Sequence, residues 1–157
     1  MTGIKAAAGS GHEDHFERPV LNLLYRYAEL MDAGQLEEAA GLFTRAQIRI
    51  GGHDGLQDHQ ALLALWQRMV RIYPCGTPRT RHIINNPILE LAVDSGIVEC
   101  RSVYTVLQAT EGFPLQIIAN GRYHDRFACH DGQWHFIYRD YTLFDFPGDL
   151  SQHLNMG

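Results

Sequence analysis

His82 stands directly before Ile83 and Ile84, a titratable ring inside an apolar run and therefore a side chain with the means to move a proton. An imidazole with an unperturbed pKa of about 6.5 exchanges protons readily near neutral pH. Asp32, which closes an otherwise apolar helical stretch just before Gly34, is a candidate carboxylate. As a pair they would be a general base and its orienting group, the carboxylate fixing the tautomer and stabilising the imidazolium. Each also has a plain structural reading: His82 as a hydrogen-bonded core histidine, Asp32 as a cap or turn residue. Arg139 offers a cation for a developing anion or halide, or a partner for Asp125 or Asp140. Tyr27, Met31, Trp66 and Tyr123 are the candidate walls of an apolar pocket, with ordinary core packing as the alternative.

Other chemistries are disfavoured by what is scarce. Lys5 is the only lysine and lies in a polar, Gly-containing leader, which argues against a Schiff base. Ser10, Ser95, Ser102 and Ser151 have no G-x-S-x-G setting, which argues against a serine hydrolase. Cys75, Cys100 and Cys129 are odd in number and lack C-x-x-C spacing, so they read as reduced thiols. His12-Glu13-Asp14-His15 falls one residue short of the H-E-x-x-H spacing that puts two histidines on one helical face. His124, His130 and His135 have no matching carboxylates and read as solvated strand residues. Neither a metal nor a cofactor is expected. The net charge of −5, without a Lys/Arg-rich run, lacks the footprint of a phosphate-backbone binder, so nucleic acid is not an expected partner. Apolar runs stop far short of the ~20 residues of a membrane span, and no secretory signal is seen, so the expectation is a cytoplasmic protein.

The elements that must position these residues follow from periodicity. A chain of 157 residues with 45% hydrophobic content can build one core. Residues 1–17 lack apolar periodicity and read as a disordered leader; residues 18–146 read as the domain, and 147–157 as a tail. From Pro19, the residues Val20, Leu23, Leu24, Tyr27, Leu30 and Met31 recur at helical steps to about residue 33, where Gly34 stops the helix. Leu36, Ala39, Ala40 and Phe43 predict a second short helix. Ile48 and Ile50 predict a short strand, and residues 56–73 a third helix bearing Leu62, Leu65, Trp66, Met69, Val70 and Tyr73. Beyond Pro78, β-branched and aromatic runs at 81–93, 97–109, 115–129 and 134–144 alternate with Gly-containing turns, which predicts three successive hairpins. Helices first and meandering strands afterwards argue an α+β fold with the helices on one face of a curved antiparallel sheet.

This order, with local motifs, resembles the SnoaL-like branch of the nuclear-transport-factor-two-like superfamily. The motifs are Tyr25-Arg26-Tyr27-Ala28-Glu29-Leu30-Met31-Asp32 with Leu42-Phe43; Thr80-x-His82-x-x-x-Asn86; Gly121-x-Tyr123-x-Asp125; and Asp131-Gly132-x-Trp134 with Arg139. The resemblance implies a cone-shaped α+β barrel with three N-terminal helices. Within the superfamily the pattern is similar to scytalone dehydratase and hexachlorocyclohexane dehydrochlorinase, which implies that Asp32 and His82 form the catalytic pair. It departs from scytalone dehydratase at Met31, where that family has a tyrosine, and at Cys100 or Arg101, where its second catalytic histidine falls. The implied function is a cofactor-independent lyase or isomerase acting on an apolar cyclic or aromatic small molecule, in a homodimer or homotrimer. The alternative is a non-catalytic ligand-binding or subunit-assembly domain, such as the small subunit of a ring-hydroxylating dioxygenase.

Overall fold

In the computed structural model, residues 15–155 are described. The first helix, α1 (Glu17–Asp32), buries Val20, Leu24, Tyr27, Ala28, Leu30 and Met31 on one face. It begins two residues before Pro19, with Glu17 in the first turn, where the helix dipole favours an acid. Phe16, just ahead of it, packs against Trp134 with ring centroids 6.1 Å apart. Most of the expected leader, including His12, Glu13 and Asp14, lies outside the described residues.

The end of α1 is set by Gly34, whose φ of +74° suits a residue without a Cβ. Its N–H donates to the Met31 carbonyl at 3.1 Å, and that of Gln35 to Leu30 at 2.9 Å, closing the last turn. A Cβ at Gly34 would also overlap the Gly76 carbonyl oxygen. The helix end therefore lies directly on the 74–78 turn that leads into the first long strand. The second helix, α2 (Leu36–Gly41), adds Leu36, Ala39 and Ala40 to the core.

The strands β1 (Gln47–Arg49) and β2 (Leu56–Gln57) form a small hairpin, and α3 (His59–Met69) follows. The expected third helix, 56–73, is thus shortened at both ends. Leu56 and Gln57 pair with β1, and Asp58 accepts the Ala61 N–H at 2.9 Å as the N-cap. Val70 is extended and bridges to Leu154 in the C-terminal segment, which claims residues that periodicity alone gives to the helix.

The long strands are β3 (Thr80–Ala92), β4 (Ile97–Thr110), β5 (Phe113–His130) and β6 (Gln133–Asp140), each antiparallel to the next. A last strand, β7 (Phe144–Pro147), pairs with β5. The expected final strand, 134–144, breaks because Asp140 Oδ1 accepts from Thr142 N and Oγ1 at 2.8 and 2.6 Å, an Asx turn. The seven-stranded sheet has the order β2-β1-β6-β5-β4-β3. It is mixed where an antiparallel sheet was expected, because β1 runs parallel to β6. The parallel pair is accessible because β1 and β6 are joined by the long connection through β2, α3 and β3 to β5, not by a tight turn.

A bulge between Asn85 and Ile88 bends β3, and Asn86 sits there with φ +50°, which asparagine tolerates better than most residues. This is the role of the asparagine in the Thr80-x-His82-x-x-x-Asn86 motif. The inner face of the curved sheet is read from alternation: Val98, Cys100, Ser102, Val106 and Gln108 on β4 are buried, as are Ala119, Tyr123, Asp125 and Phe127 on β5. Helices α1 to α3 cover this face, giving a cone-like α+β domain. No helix among the described residues is long and apolar enough to cross a membrane.

The close contact at Gly34 gives a stability test. Gly34→Ala should cost well over 1 kcal/mol, since a positive φ alone costs an alanine roughly that much and the overlap with Gly76 adds to it. Gly96→Ala, also at positive φ (+66°) but with nothing within 4 Å of the new methyl, is the control and should cost less. Urea unfolding of both variants measures the difference; equal losses would show that the contact with the 74–78 turn contributes nothing.

Candidate active site

Asp32 is the last residue of α1, where the helix dipole disfavours a carboxylate. It makes no cap for its own helix; all its side-chain bonds cross to β3. Oδ1 accepts from Thr80 Oγ1 at 2.9 Å and lies 2.6 Å from His82 Nδ1, while Oδ2 accepts the His82 backbone N–H at 2.8 Å. Strand β3 is the end strand of the sheet, so this N–H would otherwise be an unpaired edge donor. One carboxylate therefore fixes the strand edge, the threonine and the imidazole together.

The His82 and Asp32 side chains are both 6% exposed. With Nδ1–H donated to Asp32, the ring's remaining nitrogen, Nε2, is the basic one and is not bonded to any described residue. The sequence thus brings Asp32 and His82 into contact, and the capping reading of Asp32 gives way to a tertiary one. Thr80, the first residue of the motif, acts by holding Asp32.

Arg139 lies elsewhere in the core. It is 0% exposed, and its Nε and Nη2 donate to Asp125 Oδ1 and Oδ2 at 2.7 and 2.8 Å. The guanidinium carbon is 4.0 Å from the ring centre of Tyr123 and 4.4 Å from that of Tyr27. Burial pushes the Asp125 carboxyl above its usual range against the pull of Arg139. Of the two roles open to Arg139, ligand of an anion or partner of an acid, the second describes its surroundings: both fork nitrogens are taken by Asp125.

The candidate pocket walls meet around this pair. Tyr27 packs on Trp66 (centroids 6.2 Å apart), Tyr123 (5.9 Å) and the His82 ring (6.3 Å). Tyr141, which sequence reasoning missed, donates its hydroxyl to that of Tyr27 at 2.7 Å. Burial raises the hydroxyl pKa of Tyr27, Tyr123 and Tyr141 well above the usual value, so they act as neutral hydrogen-bonding groups. Met31 is 4% exposed, and the middle of the cone is filled by these side chains. An open groove of about 810 Å³ lies outside this cluster, between α1 and Gly132, Gln133 and Trp134. Cys100, which with Arg101 marks where scytalone dehydratase has its second histidine, is buried and its thiol is pushed up to about 12 by burial and then by Asp125. Among the described residues no group of three or more His, Cys, Asp or Glu could hold a metal ion.

A second buried histidine, His153, lies at this end of the cone, in a segment that sequence patterns did not flag. The segment 148–155, expected as a tail, is bound across the end of the cone. The carbonyl of His153 accepts the Arg71 N–H at 2.8 Å, that of Gln152 accepts the Tyr73 hydroxyl at 2.6 Å, and Asn155 N donates to Met69 O at 2.7 Å. His153 is pushed down to about 4, by burial first and then by His82, with Asp32 pulling weakly the other way.

The SnoaL-like domain profile matches residues 16–140 of the chain. The chain belongs to the SnoaL-like domain family. No curated protein matches this SnoaL-like domain. Among solved structures it is similar to a protein of unknown function from Mycobacterium tuberculosis, with 27% identity and a TM-score of 0.63 over 82% of this chain and 70% of the other. It also shares its fold with a candidate scytalone dehydratase from Novosphingobium aromaticivorans, with 23% identity and a TM-score of 0.59 over 78% and 80% of the two chains. The beta subunit of a candidate aromatic-ring-hydroxylating dioxygenase from the same organism matches at 18% identity, with a TM-score of 0.62 over 83% and 90%.

Two measurements test this domain's charges. Arg139→Met leaves Asp125 buried without its partner and should cost about 3–5 kcal/mol, part of which Asp125→Leu in the same chain should restore. A neutral effect of the single variant, read by urea unfolding, would contradict a structural pair. For His153 the folded pKa lies below the unfolded one, so the unfolded state binds the proton first as pH falls. Stability should therefore drop between pH 6.5 and about 4, by on the order of 3 kcal/mol. The His153→Phe variant should lose that part of the pH dependence.

Proposed function

We propose that this SnoaL-like domain is a cofactor-independent enzyme of the lyase or isomerase kind, acting by proton transfer on an apolar cyclic or aromatic small molecule. One observation carries the reading: the 2.6 Å contact between Asp32 Oδ1 and His82 Nδ1, with Nε2 left unbonded among the described residues. That arrangement is what a general base needs. Asp32 fixes the tautomer that presents Nε2, and its negative charge stabilises the imidazolium once the proton has moved. The weak exposure of both side chains strengthens this interaction, because little water screens it. In the step, Nε2 removes a proton from an activated carbon. The electron pair left behind either expels a leaving group from the adjacent carbon or is reprotonated at another position, giving elimination or double-bond migration.

The second reading, a non-catalytic module, is favoured by the packed middle of the cone, where Tyr27, Trp66, Tyr123 and Tyr141 occupy the space between helices and sheet. The shared fold does not choose between the two, since one fold hosts unrelated functions.

The two readings separate on 5-nitrobenzisoxazole, an aromatic carbon acid whose ring opening needs a single base and releases a coloured phenolate. The wild-type protein should open it faster than free imidazole at the same concentration and pH. His82→Ala should remove that acceleration in a protein that still folds, because Thr80 and the backbone N–H at position 82 keep their bonds to Asp32. Asp32→Asn should also lower the rate strongly; the handicap is about 10⁴-fold for the corresponding change in a serine-protease triad, an upper benchmark for a simpler reaction. A wild-type rate no higher than that of His82→Ala would defeat the enzymatic reading and leave the pair as a clamp between α1 and β3.

A further inference from the structure

The sheet register and the C-terminal segment together bring a second histidine to the end of the sheet that carries the first. His82 pairs across the strands with Val106, and Thr80 with Gln108, so all four share one face. Leu150 packs on the cluster of Val106, Ile118 and Ala119 on that same face. The N–H groups of His153 and Leu154 both bond to the Leu150 carbonyl, at 3.0 and 2.9 Å, forming one helical turn that puts residues 150, 153 and 154 on a common side. Leu154 continues onto Val70, and the Gln152 carbonyl accepts from Gln108 Nε2 at 3.1 Å. His153 is thereby held over the end of the sheet that carries His82.

Two buried polar atoms at this end have no hydrogen-bond partner among the described residues, His153 Nδ1 and Gln108 Oε1. Burial without a partner is costly and uncommon for such atoms, and a polar group on a bound ligand would relieve it. The groups acting on His153 are His82 from β3 and Asp32 from α1; burial and the nearby His82 hold it down to about 4, so the ring is uncharged at neutral pH. An imidazole kept uncharged in this way suits the task of a neutral hydrogen-bond donor.

We propose that His153 is a catalytic residue of this site, its imidazole N–H donating a hydrogen bond to an oxygen of the ligand while His82 takes a proton from the neighbouring carbon. This rests on the proton-transfer reading above and narrows the ligand to cyclic ketones, enols and phenols. The C–H pair becomes a C=C π bond, the carbonyl π pair moves to oxygen, and the proton goes to His82 Nε2. His153 stabilises the resulting oxyanion without giving up its own proton. The enolate then regains a proton at another carbon or expels a leaving group with its electron pair. A neutral donor is suited to this step because an imidazolium at the same place would repel the proton arriving on His82.

The test uses 4-nitrophenol, whose phenolate resembles the cyclic oxyanion and whose visible absorbance reports its surroundings. Its affinity is measured on the full chain, the His153→Phe and His153→Gln variants, and His82→Ala, with melting temperatures on each. Loss of the donor in His153→Phe should weaken phenolate binding about ten- to a hundredfold, as for a hydrogen bond to a charged group. His153→Gln, which keeps an N–H, should restore part of it, and a purely structural histidine would show no such rescue. Equal affinity in wild type and His153→Phe would overturn the assignment. So would a wild type that binds no 4-nitrophenol. In either case benzisoxazole opening that still depends on His82 would leave the base reading standing.

Discussion

The contact of Asp32 with Thr80 and His82 holds the helical layer to the free edge of the sheet. A carboxylate at the C-terminal end of α1 is unfavourable for that helix taken alone, and β3 as an end strand exposes backbone donors. Bringing the two together satisfies the donors with the carboxylate's own lone pairs. Gly34 is part of the same device, since only a residue without a side chain lets the helix end lie on the turn before β3. The imidazole orientation therefore follows from how the layers are joined. A scaffold contact and a proton-transfer pair are the same atoms here, which is why function and stability must be measured on the same variants.

The Arg139–Asp125 pair organises the other half of the interior. Its guanidinium lies among the rings of Tyr27, Tyr123, Phe43 and Phe136, at 4.0 to 5.1 Å from their centres. A bidentate ion pair wrapped in aromatic faces accommodates two charges that could not be buried singly. It faces the ring of Tyr27, which in turn packs edge-on against the His82 ring. The middle of the cone is thus a rigid polar-aromatic core, and the chemistry proposed for the domain belongs to the end of the cone, where α1, β3, β4 and the C-terminal segment converge.

Much of this was legible from the residues. The helical period of Val20 to Met31, the Gly34 stop, the strand runs and their Gly turns each have a local cause, and each appears within a few residues of its expected place. The motif Thr80-x-His82-x-x-x-Asn86 marked the strand correctly, and its members prove to have separate tasks: Thr80 holds the carboxylate, His82 faces it, and Asn86 bends the strand. Arg139 was visible as a charge with an acidic neighbour, but spacing could not tell Asp125 from Asp140, or either from a ligand.

What the sequence determined by itself was the local layer: which stretches are helical, which are extended, where they stop, and that a histidine and an aspartate are available to meet. Periodicity and turn chemistry act over a few residues, so they can be read in order along the chain. The tertiary structure alone decided that β1 lies parallel to β6, that Asp125 rather than Asp140 takes Arg139, and that residues 148–155 cross the end of the cone, packed on Val106, Gln108 and Val70. These depend on register and on contacts between segments distant in sequence, where pairing energies compete globally. His153 left no local signal because its neighbours Leu150 and Leu154 read as an ordinary tail until Val106 and Val70 are there to receive them.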